Sequence, residues 1–231
     1  MVWVVINSFF GQQLSNSEIK AVIFDMDGVI IDSEPLYFQI QQRLFKELNI
    51  SVSELEYDAF IGAGMQFMWE ILSSRYSLPL TVPHLISLNN ERIYDTFNKL
   101  VTLESTQGFL PLLTSIKKLK IKTAVASSTS KKIINVILSK LEIIQEFDVI
   151  VSSEEVPHSK PEPDIFLETA ERLNVDPANC IVIEDSTNGV KAAVKAGMQC
   201  IGFANKNSGD QDLSNADIVV YKFSEINLFN T

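Results

Sequence analysis

Five short runs of apolar residues recur along the chain and are separated by segments with helical periodicity. The runs are AVIFD (21–25), KTAVAS (122–127), DVIVSS (148–153), CIVIED (180–185) and QCIGFA (199–204). Runs that are apolar almost throughout are typical of parallel strands covered by helices on both faces. The segments after them, such as SKKIINVILSKL and PDIFLETAERLNV, carry apolar residues every three or four positions. This alternation predicts an α/β fold with a Rossmann-like, doubly wound parallel sheet.

A much longer segment separates the first predicted strand from the second. It contains four stretches of helical periodicity: LYFQIQQRLFKELNI, SELEYDAFIG, MQFMWEILSSRY and VPHLISLNNERIYDTFNKL. A helical bundle of this size can bury a core of its own. We therefore predict an inserted all-α cap domain at 34–104, with 19–33 and 105–231 forming the α/β core. The alternative is a set of extra helices packed on the core.

Composition and charge narrow the choice of partners. The chain has 231 residues, 46% of them hydrophobic, and a formal net charge of −10 from 29 acidic and 19 basic residues. This balance argues against nucleic acid or an anionic membrane surface as the partner. An anionic substrate would need a local cation to overcome the general repulsion.

Two further features concern the compartment and the start of the chain. Cys180 and Cys200 lie inside strand-like runs, so we expect buried free thiols and a cytoplasmic protein. Residues 1–18 are apolar but have neither the basic start nor the cleavage site of a secretory signal. We expect an N-terminal extension there, either an added strand or an unstructured or artefactual segment.

Acidic residues follow two of the predicted strands directly. Asp25 and Asp27 come after the first strand, and Glu184 and Asp185 end the fourth. In open α/β sheets ligands bind beyond the carboxyl ends of the strands, so up to four carboxylates would meet at one edge. Their mutual repulsion favours a divalent cation, and oxygen ligands without His or Cys favour Mg²⁺.

Two other strand ends carry groups suited to a phosphoryl group. The second strand ends in AVASSTS, where Ser127 and Ser128 offer hydroxyl and backbone N–H groups to a phosphate. Lys160 lies in SKPEPDIF, a stretch that Pro161 and Pro163 stiffen. Each feature alone also fits an ordinary turn or helix N-cap. Four of them on successive strand ends predict a functional site.

The segments FDMDGVIIDSE, AVASST, SKPEPDIF and IEDSTNG resemble, in this order, the four motifs of the haloacid dehalogenase superfamily. The resemblance extends from about residue 19 onward and is to the branch with a helical cap, which contains β-phosphoglucomutase-like proteins and small-molecule phosphatases. It implies the inserted cap and a phosphoryl-transfer activity.

The resemblance also implies a role for each site residue. Asp25 would be the nucleophile that forms an aspartyl-phosphate, and Asp27 the general acid and base, its backbone carbonyl also binding Mg²⁺. Lys160 would stabilise charge on the nucleophile and on the phosphoryl oxygens. The remaining assignments are phosphate binding by Ser127 and Ser128 and metal binding by Asp25 and Asp185, with Glu184 either a direct metal ligand or one acting through water.

Departures from the family pattern bear on the reaction. The mutases that the chain resembles have a His where this chain has Tyr37, and an Arg where it has Met65. The related phosphonoacetaldehyde hydrolases use a cap Lys in that loop, and Met65 cannot form a Schiff base. We therefore expect hydrolysis of a small phosphorylated metabolite, such as a sugar phosphate, with mutase activity as the alternative.

Two alternatives stay open on the sequence alone. Met65, Phe67, Met68 and Trp69 either line the substrate site or form the core of the cap, and their helical spacing favours the core. A phospho-acceptor signalling domain would also gather carboxylates around Mg²⁺, but such a domain is shorter, has no inserted cap, and gains nothing from an acid–base residue at Asp27. A catalytically silent binding module on the same scaffold is a further possibility, and the presence of all the motif residues argues against it.

Overall fold

In the computed structural model, which describes residues 2–6, 19–62 and 64–230, a parallel sheet of six strands forms the centre of the molecule. The strands are β2 (Ala21–Phe24), β3 (Lys122–Ser127), β4 (Val149–Ser152), β5 (Cys180–Glu184), β6 (Gln199–Phe203) and β7 (Ile218–Val220). Their order is β4-β3-β2-β5-β6-β7, and each adjacent pair is parallel. The five predicted strands are present. The short edge strand β7 was not predicted.

Four helices cover the two faces of this sheet: α5 (Phe109–Lys118), α6 (Lys131–Lys140), α7 (Asp164–Leu173) and α8 (Thr187–Lys195). On one face, Val22 and Phe24 of β2 share a hydrophobic cluster with residues of α5 and α6. On the other, Ala21 and Ile23 pack with residues of α7 and α8. Because successive strand residues point to opposite faces, the apolar runs serve both layers at once. The fold is the predicted doubly wound α/β type.

Four more helices lie between β2 and α5: α1 (Glu34–Glu47), α2 (Glu54–Asp58), α3 (Met65–Tyr76) and α4 (Val82–Lys99). α2 begins with a capping box in which Ser53 and Glu56 satisfy each other's backbone N–H groups. The helices enclose a hydrophobic cluster separate from the two that flank the sheet. Met68 and Trp69 belong to that cluster, whereas Phe67 is 48% exposed.

The two ends of the described chain pair with each other. Strand β1 (Val2–Ile6) runs antiparallel to β8 (Ile226–Asn230) in a separate two-stranded sheet. This agrees with the added-strand interpretation for 2–6, and 7–18 lie outside the described residues. Cys180 and Cys200 are buried free thiols, as predicted. Within the described ranges, no helix combines the length and the apolarity that crossing a bilayer requires.

Candidate active site

The predicted residues of the core converge at the carboxyl edge of the sheet. β2 lies between β3 and β5 in parallel register, with Phe24 opposite both Val125 and Ile183. This register brings the ends of the three strands to one level. Lys160 reaches the same place from the loop between β4 and α7.

Lys160 is the centre of a buried ion cluster. Its Nζ donates to Oδ1 of Asp25 (2.5 Å), Oε1 of Glu184 (2.6 Å) and the carbonyl of Ala126 (3.0 Å). The lysine side chain is only 5% exposed. Burial opposes its charge, but the two carboxylates hold the pKa of Lys160 above its ordinary value. The ammonium group therefore stays charged and fixed in place.

Three buried carboxyl groups share this one lysine. Burial, with repulsion from Glu184 and Asp27, raises the pKa of Asp25 to about 8 in spite of the attraction of Lys160. Burial and repulsion from Glu184 and Asp25 raise the pKa of Asp185 well above its ordinary value. We call Asp25, Lys160, Glu184 and Asp185 the charged cluster. Its excess of negative charge is the condition that a bound divalent cation relieves.

The donor set fits such a cation in part. Glu184 directs Oε1 to Lys160 and Oε2 to the N–H and hydroxyl of Ser186, both at 3.0 Å. In the described part of the chain, no group of three or more His, Cys, Asp or Glu side chains is arranged to hold a metal. A cation bound by Asp25, Asp185 and the carbonyl of Asp27 would use only two carboxylate side chains, so the two observations are compatible. The hydrogen bonds of Glu184 favour a contact through water over direct ligation.

Asp27 is surrounded by hydroxyl groups instead of charges. Ser33 Oγ (2.7 Å) and Tyr37 Oη (2.8 Å) donate to its Oδ1, and Thr129 Oγ1 donates to Oδ2 at 2.6 Å. Burial and the charge of Asp27 raise the pKa of Tyr37 well above its ordinary value, so the phenol remains a donor. We call these four residues the hydroxyl cluster. Ser33 and Tyr37 belong to the start of α1, whereas Thr129 belongs to the α/β core.

Sequence reasoning missed most of the hydroxyl cluster. Tyr37 was considered only as a departure from the mutase pattern, and its bond to Asp27 was not predicted. Ser33 and Thr129 were not considered. A usable signal existed: Ser33 and Tyr37 lie four residues apart, so they share one face of the predicted helix that follows the Asp27 turn.

Two glycines allow the carboxylates to sit against the backbone. Gly28 has φ +76°, and a Cβ on it would lie 1.8 Å from Oδ2 of Asp185. A Cβ on Gly189 would lie 1.9 Å from the carboxyl carbon of Glu184. Gly28 and Gly189 are thus required because any side chain there would collide with a carboxyl group. Gly28 is also required because its backbone is in the left-handed conformation.

The predicted phosphate-binding serines differ in exposure. Ser127 is fully buried, and its Oγ accepts a hydrogen bond from the N–H of Thr129 at 3.1 Å. Ser128 is exposed, and its carbonyl accepts from Ser153 Oγ at 2.9 Å. Ser127 is the last residue of β3, and Ser128 begins the turn that leaves it. Their role in phosphate binding stays a prediction.

Glu34 is a further acidic group that was missed. Its Oε2 is buried without a hydrogen-bond partner, although Tyr57 bonds to the same carboxyl group. Burial, with repulsion from Asp27 and Asp32, raises its pKa to about 7. A buried polar atom without a partner is uncommon and calls for an explanation.

Taken together, the parallel sheet and the polar residues at its carboxyl edge define an α/β enzyme with its site at the strand ends. A family model described as haloacid dehalogenase-like hydrolase matches residues 22–203. The chain therefore belongs to the haloacid dehalogenase-like hydrolase family.

Individual relatives agree with this assignment. A phosphorylated carbohydrates phosphatase of Thermotoga maritima is 34% identical over 187 residues, which cover 79% of this chain and 84% of that protein. The β-phosphoglucomutase of Bacillus subtilis is 31% identical over 216 residues, covering 91% and 92%. The crystal structure of a β-phosphoglucomutase from Clostridium difficile superposes with a TM-score of 0.76 at 29% identity, covering 90% and 92%.

These similarities define the protein as an enzyme of the haloacid dehalogenase type, with a phosphatase-like or phosphomutase-like function. The non-enzymatic interpretation, a phospho-acceptor or binding module, is set aside on this ground.

Proposed function

We propose that the protein is a Mg²⁺-dependent phosphatase that hydrolyses a small phosphomonoester through an aspartyl-phosphate on Asp25. The observation that carries this proposal is the charged cluster. Lys160 holds one oxygen of Asp25, while burial and mutual repulsion raise the pKa of Asp25 and of Asp185, so that ionising both carboxyl groups calls for a further cation. This is the arrangement expected of a nucleophile beside a cation site.

The chain's own residues account for each proton and bond of this reaction. One carboxylate oxygen of Asp25 attacks phosphorus as the bond to the leaving oxygen breaks, and Asp27 gives that oxygen its proton. In the second step Asp27 removes a proton from water, which attacks the same phosphorus and releases phosphate and the free carboxylate. Lys160 offsets the charge of Asp25 and of the phosphoryl oxygens in both steps.

The proposed metal residues are Asp25, Asp185 and the carbonyl of Asp27, with Glu184 acting through water. A bound Mg²⁺ would neutralise phosphoryl charge and lower the pKa of the carboxyls around it. This would keep Asp25 ionised at neutral pH in spite of its burial. Ser127 and Ser128 are proposed to hold the phosphoryl oxygens.

The helical unit α1–α4 is proposed to be a cap domain, spanning 34–104, that closes over the site. Tyr37 of its first helix, and Ser33 immediately before that helix, donate hydrogen bonds directly to Asp27. A hydroxylated substrate such as a sugar phosphate is favoured by the name of the Thermotoga relative, a phosphorylated carbohydrates phosphatase. The buried free thiols favour the cytoplasm.

Mutase activity is the second candidate, since the Bacillus relative is a β-phosphoglucomutase. The residues specific to this chain argue for hydrolysis. Met65 packs against hydrophobic clusters of both the core and the helical unit, and it has no charge with which to hold a second phosphate.

The test is a phosphate-release screen over phosphorylated sugars and other metabolites, with and without Mg²⁺. We expect Mg²⁺-dependent turnover that Asp25→Asn abolishes. Conversion of β-glucose 1-phosphate to glucose 6-phosphate without phosphate release would replace the phosphatase by the mutase. Stable labelling of Asp25 without turnover would contradict both.

A further inference from the structure

Residues 204–211, the first part of the segment between β6 and β7, are outside the four motifs but contact three parts of the site. They contact a carboxylate of the charged cluster, the turn that follows Asp27, and the loop between α2 and α3. These three contacts are made by Ser208, by two asparagines and by Gln211.

The first contact is with the charged cluster. Ser208 Oγ donates a short hydrogen bond to Oδ2 of Asp185. The serine is only 4% exposed, and a Cβ on Gly28 would lie 2.8 Å from its Oγ. Ser208 therefore fills the space between Asp185 and the turn at Gly28, and it fixes which way the Asp185 carboxylate faces.

The second contact is with the turn that leads into the cap. Asn205 Nδ2 donates to the carbonyl of Gly28 (2.8 Å) and to Oδ1 of Asp32 (3.3 Å). Asn207 Nδ2 donates to Oδ2 of the same Asp32 at 2.6 Å. Two amide groups thus hold both oxygens of Asp32, two residues before α1 begins.

The third contact is with the cap itself. Gln211 Nε2 donates to the carbonyl of Ile61 (3.3 Å) and to the carbonyl of Ser208 (2.9 Å). Gly209 lies next to Ile61: a Cβ placed on Gly209 would be 3.4 Å from the Cβ of Ile61, an ordinary van der Waals distance. The amide of Gln211 thus joins the cap loop to the residue that holds Asp185.

We propose that loop 204–211 couples docking of the cap loop at 59–62 to cation binding at Asp185, with Ser208 and Gln211 as positioning residues. The inference rests on the proposed function, because it takes Asp185 as a ligand of Mg²⁺. A carboxylate held in one orientation by its hydrogen-bond partner binds a cation more tightly. Coupling between two sites is reciprocal, so Mg²⁺ must also favour the docked cap loop.

The test uses Mg²⁺ alone with the full-length, metal-free protein. Calorimetric titration measures affinity, and hydrogen exchange of backbone amides at 59–62 measures docking with and without Mg²⁺. For the wild type we expect Mg²⁺ to slow exchange at 59–62. We expect Ser208→Ala to weaken Mg²⁺ binding about 10-fold, and Gln211→Ala about fivefold. In both variants the effect of Mg²⁺ on exchange should be lost.

Gln42→Ala is the matched control. Gln42 also donates its amide to a backbone carbonyl, that of Val52 at 3.0 Å, but this bond lies within the cap and away from the loop. The Gln42→Ala substitution should leave both the Mg²⁺ affinity and the effect of Mg²⁺ on hydrogen exchange unchanged. Gln211 is half-buried, so Gln211→Ala carries the test if Ser208→Ala fails to fold.

Three outcomes separate this proposal from the proposed function. Weaker Mg²⁺ binding and a lost exchange response in Gln211→Ala, but not in Gln42→Ala, support the coupling. An active wild type whose Gln211→Ala variant behaves like Gln42→Ala overturns the coupling and leaves the phosphatase proposal intact. A wild type that binds no Mg²⁺ overturns both.

Discussion

The two clusters at the carboxyl edge of the sheet differ in chemistry and in origin. The charged cluster consists of ionisable side chains, and every member comes from the α/β core. The hydroxyl cluster surrounds Asp27 with neutral donors, two of which come from α1. The charged cluster is held together by electrostatic attraction between buried side chains. The hydroxyl cluster joins two parts of the molecule through hydrogen bonds that can break singly.

Because of this difference, we expect the two clusters to respond differently to mutation. Removing one charged group from a buried cluster destabilises the fold strongly, because its partner is then left as an unpaired charge in the interior. Neutral hydrogen bonds to a carboxylate are individually modest. We therefore expect changes in the charged cluster to be severe and changes in the hydroxyl cluster to be graded.

The largest effect should follow removal of the shared cation. Lys160→Ala leaves Asp25, Glu184 and Asp185 without a counter-charge. We expect kcat to fall at least about 10²- to 10³-fold and unfolding free energy to fall by about 3–5 kcal/mol at pH 7. Steady-state kinetics and urea unfolding measure the two. Lys195→Ala, which removes an exposed ion pair with Glu162, is the control. An active Lys160→Ala enzyme would contradict the importance of the cluster.

Gly28→Ala should rank second. Its Cβ would meet the Asp185 carboxylate at 1.8 Å, and its φ of +76° strains any other residue. Gly197 has a similar φ of +72° but open space around its Cβ position, so Gly197→Ala isolates the strain. We expect about 1 kcal/mol of destabilisation from the strain alone. Gly28→Ala should cost more and should also reduce kcat.

If thermal unfolding shows the two glycine variants to be equal, the close packing of Asp185 against the turn is not a determinant of stability.

Tyr37→Phe tests the hydroxyl cluster. It removes one of the three donors to Asp27 and keeps the ring that packs on Phe97 at 5.9 Å. We expect a loss of about 1 kcal/mol in stability and about a 10-fold lower kcat, which is less than the roughly 10²- to 10⁴-fold contribution of an acid–base group itself, because Tyr37 acts only through Asp27. Kinetics with an aryl phosphate measure the change. Tyr76→Phe, which removes a hydroxyl bonded to the Ser51 carbonyl, should leave kcat unaltered.

A Tyr37→Phe loss as large as that of Lys160→Ala would erase the proposed distinction between the two clusters.

The last prediction concerns the pH dependence of stability and not a loss of activity. Burial raises the pKa of Glu34 from 4.5 to about 7, so between these values the folded state binds more protons than the unfolded state. Its contribution to stability is fully present below pH 4.5 and is lost as pH rises through about 7. Unfolding free energies at pH 5 and pH 7.5 should therefore differ less in Glu34→Gln than in the wild type. Equal pH dependence in the two proteins would show that the carboxyl is not buried as described.

Much of the fold could be predicted because the signals are local. The five apolar runs and the helical spacings between them depend on residues next to each other in the chain. Strand β7 was missed because its three residues, Ile218–Val220, carry too little pattern. The order of the motif segments was enough to identify Asp25, Lys160 and Asp185 as one predicted site.

Partners that are distant in the chain could not be predicted. Thr129 bonds to Asp27 across 102 positions, and Asn205 reaches Gly28 across 177. Neither contact leaves a periodicity or a spacing that can be read along the sequence. Glu184 shows the same limit: its position was predicted, but the engagement of both its oxygens by Lys160 and Ser186 was not.

The main strands, and the acidic and basic side chains that end them, follow from the order of residues, because burial pattern and strand polarity are properties of the chain. The sharing of the charges follows from the folded arrangement alone, since one lysine lies between two carboxylates from different strands. The folded arrangement also encloses Asp27 in hydroxyls from α1 and from the core. Hydrogen bonds act over about 3 Å of space regardless of separation in the chain.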